Sequence, residues 1–317
     1  MNKYRLVTRS DFDGLVCAVL LEHLEMIDDI LFVHPKDMQD GKVDITDKDI
    51  TTNLPYVSGV HLAFDHHESE TLRIGARDNH VILPHAPSAA RVVWDYYGGA
   101  GTFPSRWMDM MEAVDKADSA QYSEGEILHP RDWELLNFIM DPRTGLGRFR
   151  DFRISNYQLM MDLIAYCKNH TIEEILLLPD VAERIELYVA HQDKAREQIE
   201  RCSTIHDNLI LLDLTGEETI WPANRFLIYA MYPECDISIH KLWGFQKQNI
   251  VFATGKSIID RGCTTNIGEL MLRHGGGGHA AAGTCQIDTA EADRVLRDLI
   301  DAIVADHRVA IGAALPG

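Results

Sequence analysis

Short apolar runs alternate with stretches of helical apolar spacing along the first third of the chain. Tyr4-Arg5-Leu6-Val7-Thr8 is β-prone and gives way to Ser10-Asp11-Phe12-Asp13-Gly14. Leu15 to Met26 then carries its apolar residues at helical spacing, so strand, loop and helix follow one another. Ile30 to Val33 reads as a second strand and the stretch before Thr51 as a third. Val60-His61-Leu62-Ala63-Phe64 reads as a fourth that runs straight into Asp65-His66-His67. Strands alternating with helices predict a mainly parallel sheet. Helices are expected from Ser88 to Tyr97, closed by Gly98-Gly99, and from Ser105 to Asp118 with Ser105 as the N-cap. Two more are expected over Asn156 to Lys168 and Thr171 to Leu178, the latter opened by a capping box of Thr171 and Glu174.

The segment from Val181 to Cys202 is charged and helix-favouring, and reads as a connector. Beyond it Leu209-Ile210-Leu211-Leu212, Ile237-Ser238-Ile239 and Ile250-Val251-Phe252-Ala253 are strand-like. Helices are expected there at Ala223 to Tyr232, Asn266 to Arg273 and Ala290 to Ala305. The expected fold class is α/β: a mainly parallel-sheet N-terminal domain over 1–180, a connecting helix over 181–205, and a smaller α/β C-terminal domain over 206–317. The length of 317 residues fits two domains at roughly 150 residues each.

Composition narrows the class. Apolar residues at 46% and charged residues at 25% are those of an ordinary globular chain and exclude a disordered or collagen-like one. No apolar run approaches a membrane span, and Met-Asn-Lys-Tyr-Arg-Leu-Val lacks the apolar stretch of a secretory signal, so a cytoplasmic location is expected. Lys plus Arg number 30 against 49 Asp plus Glu, and the net charge of −19 argues against a duplex-DNA footprint. Small phosphates stay within reach, because a few Arg, backbone N–H groups or metal ions can concentrate positive potential in one cleft. The six Cys contain no C-x-x-C pair, so buried free thiols are expected rather than a zinc site or a disulfide framework.

Asp11-x-Asp13-Gly14 stands where the first strand meets its helix, at the carboxyl edge of the expected sheet, where open α/β sheets place ligands. Two carboxylates so spaced can share Mg²⁺ or Mn²⁺, although a plain turn explains the triplet equally well. Asp65-His66-His67 brings three more donors to the same edge, and two clusters together favour a metal or phosphate partner over structural histidines. Asp115 and Asp118 lie one helical turn apart and can project toward one point, with a solvated acidic face as the commoner outcome. The run from His274 through Gly275-Gly276-Gly277-Gly278-His279 to Gly283 is the most unusual stretch. Its glycines let backbone N–H groups approach an anion, and Arg261 and Arg273 can add charge, so phosphate or nucleotide binding is expected.

Taken in order, Asp11-x-Asp13-Gly14, Asp65-His66-His67, Asp118-Ser119 and the Gly275 to Gly283 run make nearly the whole chain resemble the DHH phosphoesterase superfamily with its associated C-terminal domain. That superfamily includes single-strand exonucleases, oligoribonuclease/nucleotide phosphatases, cyclic-dinucleotide phosphodiesterases, exopolyphosphatases and family II pyrophosphatases. The resemblance implies an N-terminal domain holding one or two Mn²⁺ (or Mg²⁺) ions, joined by a helix to a C-terminal domain that presents the rest of the substrate. It implies Asp11, Asp13, His66 and Asp118 as metal ligands. Asp65 and His67 complete the motif, His67 touching the phosphate, and Arg261, Gly276, Gly277, Gly278 and His279 hold the far end of the substrate. Two positions depart from the pattern. Many members carry a His or another Asp shortly before the paired Asp, where this chain has Val7, Arg9 and Ser10. A strand-end Asp is usual where Asp49-Ile50-Thr51-Thr52-Asn53-Leu54-Pro55 offers Asn53. Asn53 can ligate a hard cation but adds no negative charge. Arg9 can fill the volume and charge of one metal, and is counted with Asp65 and His67 among the catalytic residues.

The function so implied is metal-dependent hydrolysis of phosphoester or phosphoanhydride bonds in a small nucleotide, short oligonucleotide or polyphosphate. Neither duplex DNA nor membrane is an expected partner, and a homodimer is compatible with the reading. The alternative is a nucleotide-binding protein on the same scaffold with lost or weak hydrolysis, motivated by Arg9 and Asn53. Hydrolysis that depends on Asp13 and His66 separates the two.

Overall fold

Leu6, Val7 and Thr8 are fully buried in β1 (Tyr4–Arg9), as expected of a strand inside a sheet covered on both faces. The computed structural model describes residues 3–149 and 151–314. Contacts divide the chain into two units, Met1–Gln121 with Pro130–Leu187, and Tyr122–His129 with Tyr188–Gly317.

In the first unit β1 leads into α1 (Phe12–His23), a helix buried without interruption from Phe12 to Leu21. There follow β2 (Ile27–Val33), α2 (Pro35–Gln39), β3 (Asp49–Thr52), β4 (Leu62–Asp65), α3 (Glu68–Ile74) and β5 (His80–Ile82). The strands lie in the order β2-β1-β3-β4-β5 and every pairing is parallel, the sheet the alternating pattern predicts. Parallel pairing is what aligns the strand ends. Thr8 pairs with Thr52 and Thr52 with Phe64, so the next residues, Arg9, Asn53 and Asp65, stand in one row at the carboxyl edge of the sheet.

α4 (Ala89–Tyr96) is capped by Ser88, whose Oγ accepts the Arg91 amide at 3.0 Å. α5 (Met108–Asp118) begins three residues later than its sequence suggests. Pro104 accepts the Trp107 amide, Ser105–Trp107 closes as a 3₁₀ turn, and Ser105 is no cap for the helix. α6 (Glu124–Leu128) falls in the second unit, whereas α7 (Asp132–Met140), α8 (Asn156–Asn169) and α9 (Ile172–Leu176) fall in the first. The capping box of Thr171 and Glu174 is present in both directions. The charged segment that follows is two helices, α10 (Pro179–Ala190) and α11 (Gln192–Cys202), with His191 between them.

The second unit contains β6 (Ser203–His206), β7 (Leu209–Asp213), α12 (Leu227–Met231), β8 (Ile237–Trp243), β9 (Ile250–Lys256), α13 (Ile267–Leu272), β10 (Gly277–His279), β11 (Ala282–Ile287) and α14 (Ala292–Ala314). Its sheet runs β10-β11-β9-β8-β7-β6, parallel only between β7 and β8. Ile237, Ile239 and Phe252 of the sheet share one core with Ile267 and Met271 of α13 and Leu299 and Ile303 of α14. α12 is shorter than the apolar pattern suggests, because the Asn224 side-chain oxygen captures the Phe226 amide at 3.1 Å and diverts the backbone from helix. Cys17, Cys167, Cys235, Cys263 and Cys285 are buried free thiols and Cys202 is partly buried. Among the described residues no helix is long and apolar enough to cross a membrane.

Candidate active site

Asp11 caps α1. Its backbone is extended (φ −146°, ψ −176°) and its Oδ1 accepts the Gly14 amide at 3.0 Å. A Cβ on Gly14 would stand 2.0 Å from the Arg9 carbonyl oxygen and 2.7 Å from Thr8 Oγ1, so only glycine lets α1 start this close to the exit of β1. That approach turns Asp13 inward. It is 2% exposed, its Oδ2 accepting the Ala89 amide at 2.9 Å and its Oδ1 the Ala90 amide at 2.7 Å, so its carboxylate sits on the N-terminus of α4.

β4 delivers the second cluster. Asp65 Oδ1 accepts the backbone amides of His66 at 2.8 Å and His67 at 3.3 Å and lies 2.7 Å from His67 Nδ1. His66 turns the other way, its Nδ1 lying 3.1 Å from the Ala86 carbonyl. A carbonyl only accepts, so Nδ1 carries a proton and Nε2 is the atom the ring can offer a ligand. Nε2 lies 3.0 Å from Asp118 Oδ2, at the end of α5. Asp115 does not join it. Three helical residues leave two side chains about 60° apart, and Asp115 takes the Ser88 hydroxyl at 2.7 Å and Arg91 Nε at 2.9 Å instead.

Ligand atoms of Asp13, His66 and Asp118 all lie within 4.8 Å of one another, as do those of Asp65, His66 and His67. Burial, and then the charges of Asp118 and Asp11, push the Asp13 carboxyl up to about 8. Burial works to lower the His66 imidazole, yet its close approach to Asp118 and the charge of Asp13 push it up to about 9. Burial likewise works to raise Asp118, and the nearby His66 holds it below the usual carboxylate range. Crowded carboxylates that only protons relieve are what a divalent cation would stabilise. Two carboxylate oxygens and one imidazole nitrogen are a donor set that suits Mn²⁺ and tolerates Mg²⁺, so the residues fit such an ion. Asn53 Oδ1 and Asp65 Oδ2 are buried in this region without a hydrogen-bond partner.

The two departures from the family pattern meet on a single carboxylate. Arg9 Nε lies 2.8 Å from Asp11 Oδ2, and Asn53 Nδ2 donates to Asp11 Oδ1 at 3.2 Å and Oδ2 at 3.4 Å. Sequence reasoning misses Arg143, on a 3₁₀ turn at Pro142–Thr144. Its Nε is held by Asp141 at 2.7 Å, and its charge acts on both Asp11 and Asp118. No motif surrounds it, and only the folding of the chain brings it near.

Arg261, Gly276, Gly277, Gly278 and His279 all belong to the second unit. The glycine run is a hairpin strand there, a pairing four glycines conceal from propensity. A Cβ on Gly276 would meet the Thr284 carbonyl oxygen at 2.2 Å, and Gly278 adopts φ +154° with the Ala282 carbonyl 2.3 Å from the same construction. Those two glycines let the chain run close against β11. Gly277 faces open space, His279 is exposed, and the exposed Arg261 donates from Nε to the Ile258 carbonyl at 3.2 Å. Arg273 is the exposed C-cap of α13.

No protein-family model and no curated protein matches the chain. Among solved structures, the pGpG-specific phosphodiesterase PggH from Vibrio cholerae is 66% identical, with a TM-score of 0.84 over 96% of this chain and 100% of that one. RecJ from Thermus thermophilus in complex with Mn²⁺ is 12% identical, with a TM-score of 0.56 over 96% of this chain and 52% of RecJ. The Mg²⁺ complex of the same RecJ gives 14% identity and a TM-score of 0.52, covering 96% and 50%. The RecJ likeness shows the fold. The identity with PggH, spanning that chain's whole length, shows the enzyme class: this chain is a phosphoesterase and belongs to the DHH phosphoesterase superfamily.

Proposed function

We propose that the chain hydrolyses short 5′-phosphorylated dinucleotides, pGpG foremost, to mononucleotides, with a divalent cation, Mn²⁺ or Mg²⁺, held by Asp13, His66 and Asp118. The 66% identity with a pGpG-specific phosphodiesterase carries this reading, and the donor set around His66 supports it. Bound there, the ion supplies positive charge against the phosphate and lowers the pKa of a coordinated water. The chain's own residues do the rest. The Ala86 carbonyl holds His66 by Nδ1, so Nε2 is the nitrogen that would hold the ion. Asp65 orients the His67 ring through Nδ1, and His67 is proposed to meet a phosphate oxygen. Burial works to lower the His67 imidazole, but the bond to Asp65 outweighs it and the net shift is upward, which favours the cationic form beside a phosphate. Arg9 and Arg143 add positive charge beside Asp11. Arg261, Gly276, Gly277, Gly278 and His279 of the second unit are proposed to hold the far end of the substrate. With a net charge of −19 a short substrate is favoured over duplex DNA, and the proposed place of action is the cytoplasm.

Comparing turnover of pGpG, other 5′-phosphorylated dinucleotides, a longer oligoribonucleotide and inorganic polyphosphate in Mn²⁺ tests the reading. The expected result is a kcat/KM for pGpG about tenfold or more above every other substrate, as for a site that hydrogen-bonds the base. Faster turnover of the oligomer or of polyphosphate would contradict it.

Proton release gives a second check. Asp13 is pushed up to about 8 and His66 up to about 9, so both hold protons at neutral pH before the ion enters. Raised values mean that protons compete with the ion below them and cease to compete above them. Mn²⁺ uptake at pH 7 should therefore release about two protons, and affinity should tighten with pH until His66 has lost its proton. Calorimetry in buffers of different ionisation enthalpy reads the number; a value near zero would place the ion on other ligands.

A further inference from the structure

We infer that the active site takes one divalent cation per chain, the Arg9 guanidinium standing where a second ion would otherwise sit on Asp11. The inference rests on the metal site proposed above and names its stoichiometry. Both oxygens of Asp11 are already engaged. Its Oδ1 accepts the Gly14 amide at 3.0 Å and Asn53 Nδ2 at 3.2 Å, and its Oδ2 faces Arg9 Nε at 2.8 Å and Asn53 Nδ2 at 3.4 Å. An ion on that carboxylate would have to displace a guanidinium from a charge-assisted contact.

The orientation of Asn53 points the same way. Its nitrogen faces the carboxylate, as electrostatics requires, because turning the amide over would set its oxygen against Asp11. That leaves the Asn53 oxygen buried without a hydrogen-bond partner, with the amide's donor rather than its acceptor turned to Asp11. Neither residue is there by accident of side-chain reach. Arg9 and Asn53 leave β1 and β3 in the same row, one residue beyond the Thr8–Thr52 pair, and Asn53 holds a left-handed backbone (φ +55°) that Asn tolerates better than most residues.

Charge closes the argument. Asp11, Asp13 and Asp118 carry three negative charges when ionised. Arg9 balances one and a single divalent ion balances the other two. A second divalent ion in place of Arg9 would leave the three carboxylates positive by one charge beside Arg143, before any substrate arrives. Arg9 also offers what a second ion would offer. Its side chain is 34% exposed, and a guanidinium carries N–H donors beyond Nε that suit phosphate oxygens.

The test is metal stoichiometry rather than turnover. The full chain, stripped with chelator, is loaded with Mn²⁺, freed of excess by gel filtration and analysed for Mn by mass spectrometry and for spin coupling by electron paramagnetic resonance. The expected result is one Mn²⁺ per chain with the hyperfine-split spectrum of an isolated ion. Two Mn²⁺ per chain with an exchange-coupled spectrum would overturn the inference while leaving the metal-dependent reading in place. No retained Mn²⁺ would overturn both. The double substitution Arg9→Gln with Asn53→Asp removes the guanidinium and restores a carboxylate; if it keeps the wild-type circular dichroism it should take up a second, coupled Mn²⁺. A folded variant that still holds one would overturn the role given to Arg9. The wild-type count decides the matter even if the variant does not fold.

Discussion

Asp13→Asn should lower kcat on pGpG by about a thousandfold or more, with circular dichroism unchanged. The side chain lies in the interior, with both oxygens on amides of α4 and its charge set against Asp118 and His66. Asparagine keeps the volume and one acceptor but loses the charge, and it turns an amide nitrogen toward either the Ala89 or the Ala90 N–H. An ion held by Asp13, His66 and Asp118 then loses one anionic ligand of two. Removing a single well-placed electrostatic group costs about two to three powers of ten in rate, and loss of the ion itself more. The effect should fall on kcat and on Mn²⁺ affinity. Dinucleotide binding should stay within a few fold of wild type, since the second unit is proposed to hold the rest of the substrate. His66→Ala should behave alike. Steady-state kinetics at saturating Mn²⁺ check this, and an Asp13→Asn enzyme of near wild-type kcat would remove Asp13 from the site.

Gly14→Ala should be the most damaging small substitution in the first unit. Its Cβ would lie 2.0 Å from the carbonyl oxygen of Arg9 and 2.7 Å from Thr8 Oγ1. The first of these is backbone of a paired strand and cannot rotate away, and α1 cannot shift without disturbing residues that are buried from Phe12 to Leu21. Overpacking of this kind costs about 3 kcal/mol, which for a unit of this size lowers Tm by roughly 6–12 °C. The same shift moves Asp11 and Asp13, so Mn²⁺ should stabilise the variant less than it stabilises the wild type. Calorimetric scans with and without Mn²⁺ read both effects, and a Tm within a degree of wild type would show that the helix entry is looser than described.

What the sequence reveals divides along physical lines. The parallel sheet is legible because β1 and its neighbours are short apolar runs set between helical patterns. The Asp-x-Asp-Gly and Asp-His-His clusters are legible because parallel strands end on one edge, so residues that follow strands are brought together whatever their separation. Asp118 is legible through its family resemblance more than through spacing, since Asp115 has the same claim on periodicity and is drawn instead to Ser88 and Arg91. Arg143 is invisible, being an ordinary residue in a Pro-Arg-Thr turn whose place near Asp11 and Asp118 depends on long-range folding. β10 is hidden by its glycines, whose conformational freedom argues against a strand even though the close backbone approach at Gly276 and Gly278 demands them. Ser105 misleads because its hydroxyl suits a cap, while Pro104 and the 3₁₀ turn after it delay the helix. Arg9 and Asn53 are legible as departures, but their meeting on Asp11 is a fact of the folded sheet.

The measurement that tests the central claim most directly is release of mononucleotide from pGpG by metal-stripped protein, before and after addition of Mn²⁺. The account predicts no turnover before addition and, after it, two GMP for each pGpG consumed, with Asp13→Asn silent in both conditions. Dinucleotide that binds but is not cleaved in Mn²⁺, or cleavage that continues in the stripped protein, would contradict it.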